Sequence, residues 1–137
     1  MPRIVLFVCV GNAGRSQMAE AIFNKLKPSG FLAISAGTKP ASEVNPLVIR
    51  ALKEIGIDAS RSKPKSITQE MIASAEKVIT MGCEAAAFCP ARFLSKVEDW
   101  GIEDPKGKSL DEVKAIRDSI RSHVEALLRE LGSSTKG

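Results

Sequence analysis

Cys9 and Arg15 are separated by Val10, Gly11, Asn12, Ala13 and Gly14, and Ser16 follows directly. A thiol and a guanidinium at this spacing suit nucleophilic attack on a bound oxyanion. The planar fork of Arg15 matches two oxygens of a tetrahedral anion. Gly11 and Gly14 are expected to allow the backbone angles that turn N–H groups inward and let the anion approach closely. A thiol beside an arginine and at a helix N-terminus is expected to be largely thiolate near neutral pH. Ser16 can stabilise it further by donating a hydrogen bond. The oxyanion-binding loop is therefore expected to span Val10, Gly11, Asn12, Ala13, Gly14, Arg15 and Ser16. A lone cysteine at a strand end is more commonly a small buried hydrophobe, so the argument rests on its surroundings.

Those surroundings are a strand and a helix. Ile4 to Val8 is an apolar run too short for a globular helix and suits a strand buried on both faces. From Ser16 the spacing becomes helical, with Ala19, Ile22, Phe23 and Leu26 on one stripe. The loop thus joins the C-terminal end of a buried strand to a helix N-terminus, where open α/β sheets bind ligands and anions are favoured. Two other phosphate motifs are excluded. No Gly-Lys-Ser/Thr follows, and no glycine lies two positions from Gly11 on either side.

The later chain alternates in the same way. Phe31 to Ala36 reads as a second strand, and Asn45-Pro46 as a helix start whose apolar residues are Leu47, Ile49, Ala51, Leu52 and Ile55, ending at Gly56. Ser60 to Ser66 is a basic loop, expected to be a solvated face. Ser66 or Thr68 caps a short helix, Val78 to Met81 forms a third strand, and Val97 lies in a fourth. Ser109 and Glu112 form a capping box for a last helix striped by Val113, Ile116, Ile120, Val124, Leu127 and Leu131. Ser133 to Gly137 reads as a frayed tail. The fold class is therefore α/β: one domain over residues 1–137, an open four-stranded parallel sheet with helices on both faces.

Bulk properties narrow the function. The 137 residues suffice for one core without staples, and 44% apolar with 26% charged content is ordinary for a globular protein. A net charge of +4 favours anions, but aromatics are only 4% and no basic stretch is interleaved with them, so nucleic acid is not expected. Arg3 before seven apolar residues resembles a signal peptide only faintly, because no small-residue cleavage site follows. No segment reaches membrane-span length. A cytoplasmic monomer without membrane attachment is the expectation.

Cys83 and Cys89 are the other two cysteines, and they follow the third strand at the same rim as Cys9. The alanines between them favour helix. Six helical residues rise about 9 Å, beyond the roughly 7 Å limit for a disulfide, so bridging them requires unwinding. Redox use, a zinc site and simple burial remain open. Zinc lacks a fourth ligand, since His123, the sole histidine, is far along the last helix. Three cysteines in a reducing compartment favour redox chemistry. A general acid is also needed at a Cys9 adduct, and Asp104, in a turn before Pro105, is the best placed; Asp99 and Asp111 are weaker candidates.

Cys9 to Ser16 after a strand, with Asp104-Pro105 late in the chain, resembles the low-molecular-weight protein tyrosine phosphatase fold. Ser35-Ala36-Gly37-Thr38, Asn45-Pro46, the Cys83/Cys89 pair, Trp100 and Gly107-Lys108 narrow the resemblance to the thioredoxin-coupled arsenate reductases of that fold, over about residues 3 to 131. The resemblance implies a relay. Cys9 attacks arsenate held by the loop and Arg15, Asp104 protonates the departing oxygen, and Cys83 then attacks Cys9 and releases arsenite. Cys89 next attacks Cys83, and thioredoxin reduces the Cys83–Cys89 disulfide. Phosphate and sulfate are expected competitors and no cofactor is expected. Some members hold a structural potassium at positions that here are Asn12, Glu20 and Ser35. The segment around Lys63 and Lys65 lacks the completing acid, so no metal is expected. Two alternatives are a phosphotyrosine phosphatase, which has no need of Cys83 or Cys89 and usually lines its rim with tyrosines absent here, and a non-enzymatic thiol sensor. Weak phosphatase activity is compatible with the reductase.

Overall fold

The computed structural model describes residues 2–82 and 95–136. Strand β1 runs Arg3–Cys9, β2 Phe31–Gly37, β3 Ala75–Thr80 and β4 Val97–Asp99. They form one sheet in the order β2-β1-β3-β4, and every pairing is parallel. Because successive strand side chains alternate between faces, β1 divides its apolar residues between two cores. Val5, Phe7 and Cys9 join one cluster; Leu6 and Val8 join the other.

The helices divide accordingly. Helices α1 (Arg15–Leu26), α2 (Pro46–Glu54) and α4 (Leu110–Lys136) supply Met18, Ile22, Leu52, Val113 and Ile120 to the first cluster, and α3 (Gln69–Ser74) supplies Ile72 to the second. Helices therefore cover both faces, as parallel strands require. Each large apolar side chain so buried contributes about 1.5–3 kcal/mol before entropy is counted. No helix among the described residues is long and apolar enough to cross a membrane.

The capping chemistry legible in the sequence is present. The Asn45 side-chain oxygen accepts from the Leu47 amide at 2.9 Å ahead of Pro46. Thr68 rather than Ser66 caps α3, accepting from the Met71 amide at 3.1 Å. Ser109 and Glu112 exchange hydrogen bonds of 3.2 and 3.1 Å at the start of α4. All six residues of the expected α4 stripe are buried.

Three expectations need correction. The buried stripe of α2 is Val48, Ala51 and Leu52, at helical spacing. Leu47 and Ile49, which were expected to carry it, are only partly buried flanking residues. Strand β3 begins at Ala75, directly after α3. The expected frayed tail is instead helical through Lys136.

Helix α4 is fastened to α2 by Arg117, which is 6% exposed. Its Nη1 donates to the Ala51 carbonyl at 2.8 Å and to Glu54 Oε1 at 3.1 Å. Hydrogen bonds from Lys114 and then Arg117 hold the Glu54 carboxyl below its ordinary value of 4.5. A carboxylate depressed in the folded state stabilises above its unfolded value and loses that contribution as pH falls through the folded one. Glu54→Gln is therefore expected to lower the thermal midpoint at neutral pH, with the difference from the parent shrinking below about pH 4.5. A pH-independent difference in melting scans would refute this.

Candidate active site

The loop is built by extension of the β1–β2 ladder. The last paired residues are Cys9 and Gly37. Beyond them the Thr38 amide donates to the Cys9 carbonyl at 3.2 Å and the Lys39 amide to Val10 at 2.8 Å. Ala41 then bonds the Gly11 carbonyl and Asn45 the Ala13 carbonyl, each at 2.9 Å, while Met18 in α1 takes that of Gly14. In a planar trans peptide the N–H points opposite to the C=O. Fixing these carbonyls outward aims the amides of residues 10, 11, 12, 14 and 15 toward the concave side. The positive end of α1 adds to the same field.

The cavity thus formed is about 530 Å³. Cys9, Val10, Gly11, Ala13, Gly14 and Arg15 line it from the loop. Asp104, Pro105 and Lys106 close one side, and Lys39, Ser42, Glu43, Asn45 and Pro46 the other. Asn12 and Ser16 do not line it; both are fully buried behind the loop.

Cys9 is 2% exposed and has two polar neighbours. The Asn12 amide donates to its sulfur at 3.2 Å, and the Ser16 hydroxyl lies 2.8 Å away. Arg15 is held from behind, its Nη1 donating to the carbonyls of Met81 at 2.8 Å and Ile102 at 3.1 Å. Its Nη2 is 3.7 Å from Asp104 Oδ2. Asp104 is fixed from the other oxygen by the Lys106 amide at 3.0 Å. The structure therefore brings Cys9, Arg15 and Asp104 to one cavity, with Ser16 touching the sulfur from behind the loop. Cys83 and Cys89 lie outside the described residues. Asp99 is remote from the sulfur in function: its Oδ1 accepts from Thr80 Oγ1 at 2.7 Å and the Gly82 amide at 2.6 Å.

The glycines serve differently from the expectation. Neither Gly11 nor Gly14 has positive φ; the left-handed residue of the loop is Asn12, at φ 50°. Asparagine tolerates that region better than most residues, which is the signal the sequence offered. Gly14 instead permits close packing, since a Cβ there would lie 2.6 Å from Pro105 Cγ. Gly37 is tighter: a Cβ would lie 2.6 Å from the Val10 carbonyl oxygen and 3.0 Å from the Asn12 amide.

The basic segment 60–66 is a loop but not merely a solvated face. The Lys65 carbonyl accepts from Gly37 at 2.7 Å and its amide donates to Asn12 Oδ1 at 2.9 Å. Gln17, 2% exposed, joins Asn12 Oδ1 to the Lys63 carbonyl. Glu20, near Lys65, is pushed above its ordinary carboxyl value by burial, opposed by the charge of Lys65 and by hydrogen bonding to Ser35. The sequence reading assigned no part to Gln17. It falls with Glu20 and Asn24 on the polar side of α1, so its spacing does not set it apart.

Residues 4–136 match the family described as low molecular weight phosphotyrosine protein phosphatase. The chain belongs to that family. Within it, the chain is 37% identical over 125 residues to arsenate reductase 2 of Staphylococcus epidermidis, covering 90% of this chain and 95% of that protein. A thioredoxin-dependent arsenate reductase of Corynebacterium glutamicum superposes with a TM-score of 0.82 at 36% identity, over 97% of this chain and 63% of that one. The arginine phosphatase YwlE of Geobacillus stearothermophilus superposes with a TM-score of 0.87 at 28% identity, over 97% and 95%. The family scaffold thus accommodates both phosphatases and reductases.

Gly37→Ala should displace the Val10 carbonyl and with it the amide frame, at a cost of about 1–3 kcal/mol of strain. Phosphate affinity measured by calorimetry is expected to fall about fivefold or more. Unchanged affinity in a variant of parental stability would show that the frame does not depend on this close approach.

Proposed function

We propose that the protein is an arsenate reductase that works through a three-cysteine relay regenerated by thioredoxin. The observation that carries the reading is Cys9 at the floor of the amide-lined cavity, between two hydrogen-bond donors and beside an Arg15 locked by two carbonyls. The similarity to arsenate reductases over nine-tenths of the chain supports the choice of substrate.

The Cys9 thiolate attacks arsenic, and Asp104, on the cavity wall, supplies the proton that lets an oxygen leave as water. The loop amides and Arg15 hold the remaining oxygens and take up charge as it develops. Cys83 then attacks the Cys9 sulfur. The new S–S bond forms as the S–As bond breaks, and its electron pair stays on arsenic, which departs as arsenite. Cys89 displaces Cys9 from Cys83, and the dithiol of thioredoxin reduces the Cys83–Cys89 bond. The two electrons that reach arsenic thus come from thioredoxin. Such a cycle suits the cytoplasm, where thiols are kept reduced.

Phosphate ester hydrolysis is the second reading, because Cys9, Arg15 and Asp104 suffice for it. The rim argues for the reductase. Among the described residues it carries Lys39 and Lys106 and no aromatic side chain, so none of these offers a phosphotyrosine ring a stacking surface.

Arsenate-dependent NADPH consumption with thioredoxin and thioredoxin reductase, beside para-nitrophenyl phosphate hydrolysis, is the deciding measurement. Robust arsenate turnover with little hydrolysis is expected; hydrolysis without arsenate turnover would make the chain a phosphatase. Cys89→Ser should permit a single turnover and trap a Cys9–Cys83 disulfide visible by non-reducing peptide mapping, and sustained turnover in that variant would sink the relay. Asp104→Asn should slow adduct formation about a hundredfold, the low end for a general acid, with arsenate affinity little changed. An undiminished rate would assign the proton to another group.

A further inference from the structure

We propose that Lys65 is a positioning residue for Cys9: paired with Glu20, it latches the 63–65 segment onto the loop and so fixes the direction of the hydrogen bonds that end on the sulfur. The proposal rests on the reading of Cys9 as the nucleophile. It starts from Asn12, which is fully buried and left-handed and must be held by its neighbours to stay so.

The neighbours dictate the orientation of the Asn12 amide. Its Oδ1 lies 2.9 Å from the Lys65 backbone N–H and 3.1 Å from Gln17 Nε2. A backbone N–H can only donate, so the atom facing Lys65 must be the oxygen. The Nδ2 then donates both hydrogens, to Ser16 Oγ at 2.7 Å and Ser35 Oγ at 3.0 Å. Having accepted from Asn12, the Ser16 hydroxyl retains its own hydrogen for Cys9 Sγ at 2.8 Å. Donation thus runs one way, from the Lys65 amide through Asn12 and Ser16 to the sulfur. If the 63–65 segment withdrew, Oδ1 would lose the Lys65 N–H and Gln17 Nε2 its anchor on the Lys63 carbonyl, the two contacts that forbid the flipped amide, and the flipped amide cannot donate to Ser16.

Three contacts keep that amide in place. Gly37 donates to the Lys65 carbonyl at 2.7 Å, Gln17 holds Lys63, and Lys65 Nζ lies 3.9 Å from Glu20 Oε1 on α1. The third ties the segment's side chain to the helix that begins at the loop. Glu20 is four-fifths buried at its side chain, which makes the opposing cation more valuable than at an open surface. Other charged groups bear on Cys9 from elsewhere: Arg15 from α1, Lys39 and Glu43 from the segment after β2, and Asp104 and Lys106 from the turn before α4.

The test is the pH dependence of Cys9 alkylation by iodoacetamide in the full-length protein, quantified on the Cys9 peptide by mass spectrometry. Lys65→Met is expected to move the midpoint up by about half a unit, making alkylation about threefold slower below it; Lys65→Arg is expected to restore the parental profile. Glu20→Gln separates positioning from plain charge. Removing a nearby carboxylate charge would by itself move the midpoint down, whereas releasing the latch moves it up. An upward shift in Glu20→Gln supports the proposal, and a downward or absent shift overturns it, as does a Lys65→Met profile that superimposes on the parent. Should Lys65→Met fail to fold, Glu20→Gln and Lys65→Arg carry the same decision. The readout uses neither arsenate nor thioredoxin, so failure of the reductase reading would show in turnover while this profile stood.

Discussion

The outward anchoring of the loop carbonyls is the constraint on which the rest of the site depends. A five-residue loop between β1 and α1, rich in small residues, has no intrinsic reason to present its amides to one point. It does so here because β2 continues beyond its last ladder pair, and the amides of Thr38, Lys39, Ala41 and Asn45 take the carbonyls of Cys9, Val10, Gly11 and Ala13 in turn. The anion cradle is a sheet edge bent around a cavity. This also explains why Gly37 sits where it does: the two backbones come so close that no side chain fits between them.

Behind the cradle lies a small polar interior. Asn12, Ser16, Gln17 and Ser35 are all buried, yet no buried side-chain nitrogen or oxygen among the described residues lacks a hydrogen-bond partner. A network satisfied to that degree is rigid, because each member's rotation would orphan another in a low-dielectric setting. Rigidity here serves chemistry directly, since groups aimed at the sulfur before substrate arrives need no reorganisation when charge moves.

Much of this was legible in the chain itself. The parallel sheet followed from the strand–helix alternation, and Cys9, Arg15 and Asp104 do share a cavity, with Ser16 behind the sulfur. The caps at Asn45, Thr68 and Ser109 are local events between residues two or three apart, which is why they could be read. What escaped notice depends on distant partners. Lys65 meets Asn12 across 53 positions and Gln17 meets Lys63 across 46, so neither leaves a periodic trace. The basic look of residues 60–66 was misleading because their backbone, rather than their charges, touches the loop. The stripe of α2 was displaced to Val48 because several adjacent apolar residues fit more than one helical phase, and only packing against α4 selects among them. Asn12, rather than the glycines at 11 and 14, carries the unusual angle of the loop.

Trp100 lies where the core meets this machinery. Its ring centroid is 5.5 Å from that of Phe7, two residues before Cys9, and 5.0 Å from that of His123. Its amide bonds the Thr80 carbonyl at 2.9 Å, and two residues later the Ile102 carbonyl holds Arg15. It is the sole tryptophan of a chain without tyrosine. The protein therefore carries a single indole, wedged between the strand that bears the thiol and the segment that restrains the guanidinium, whose emission registers movement there with no other indole or phenol to subtract.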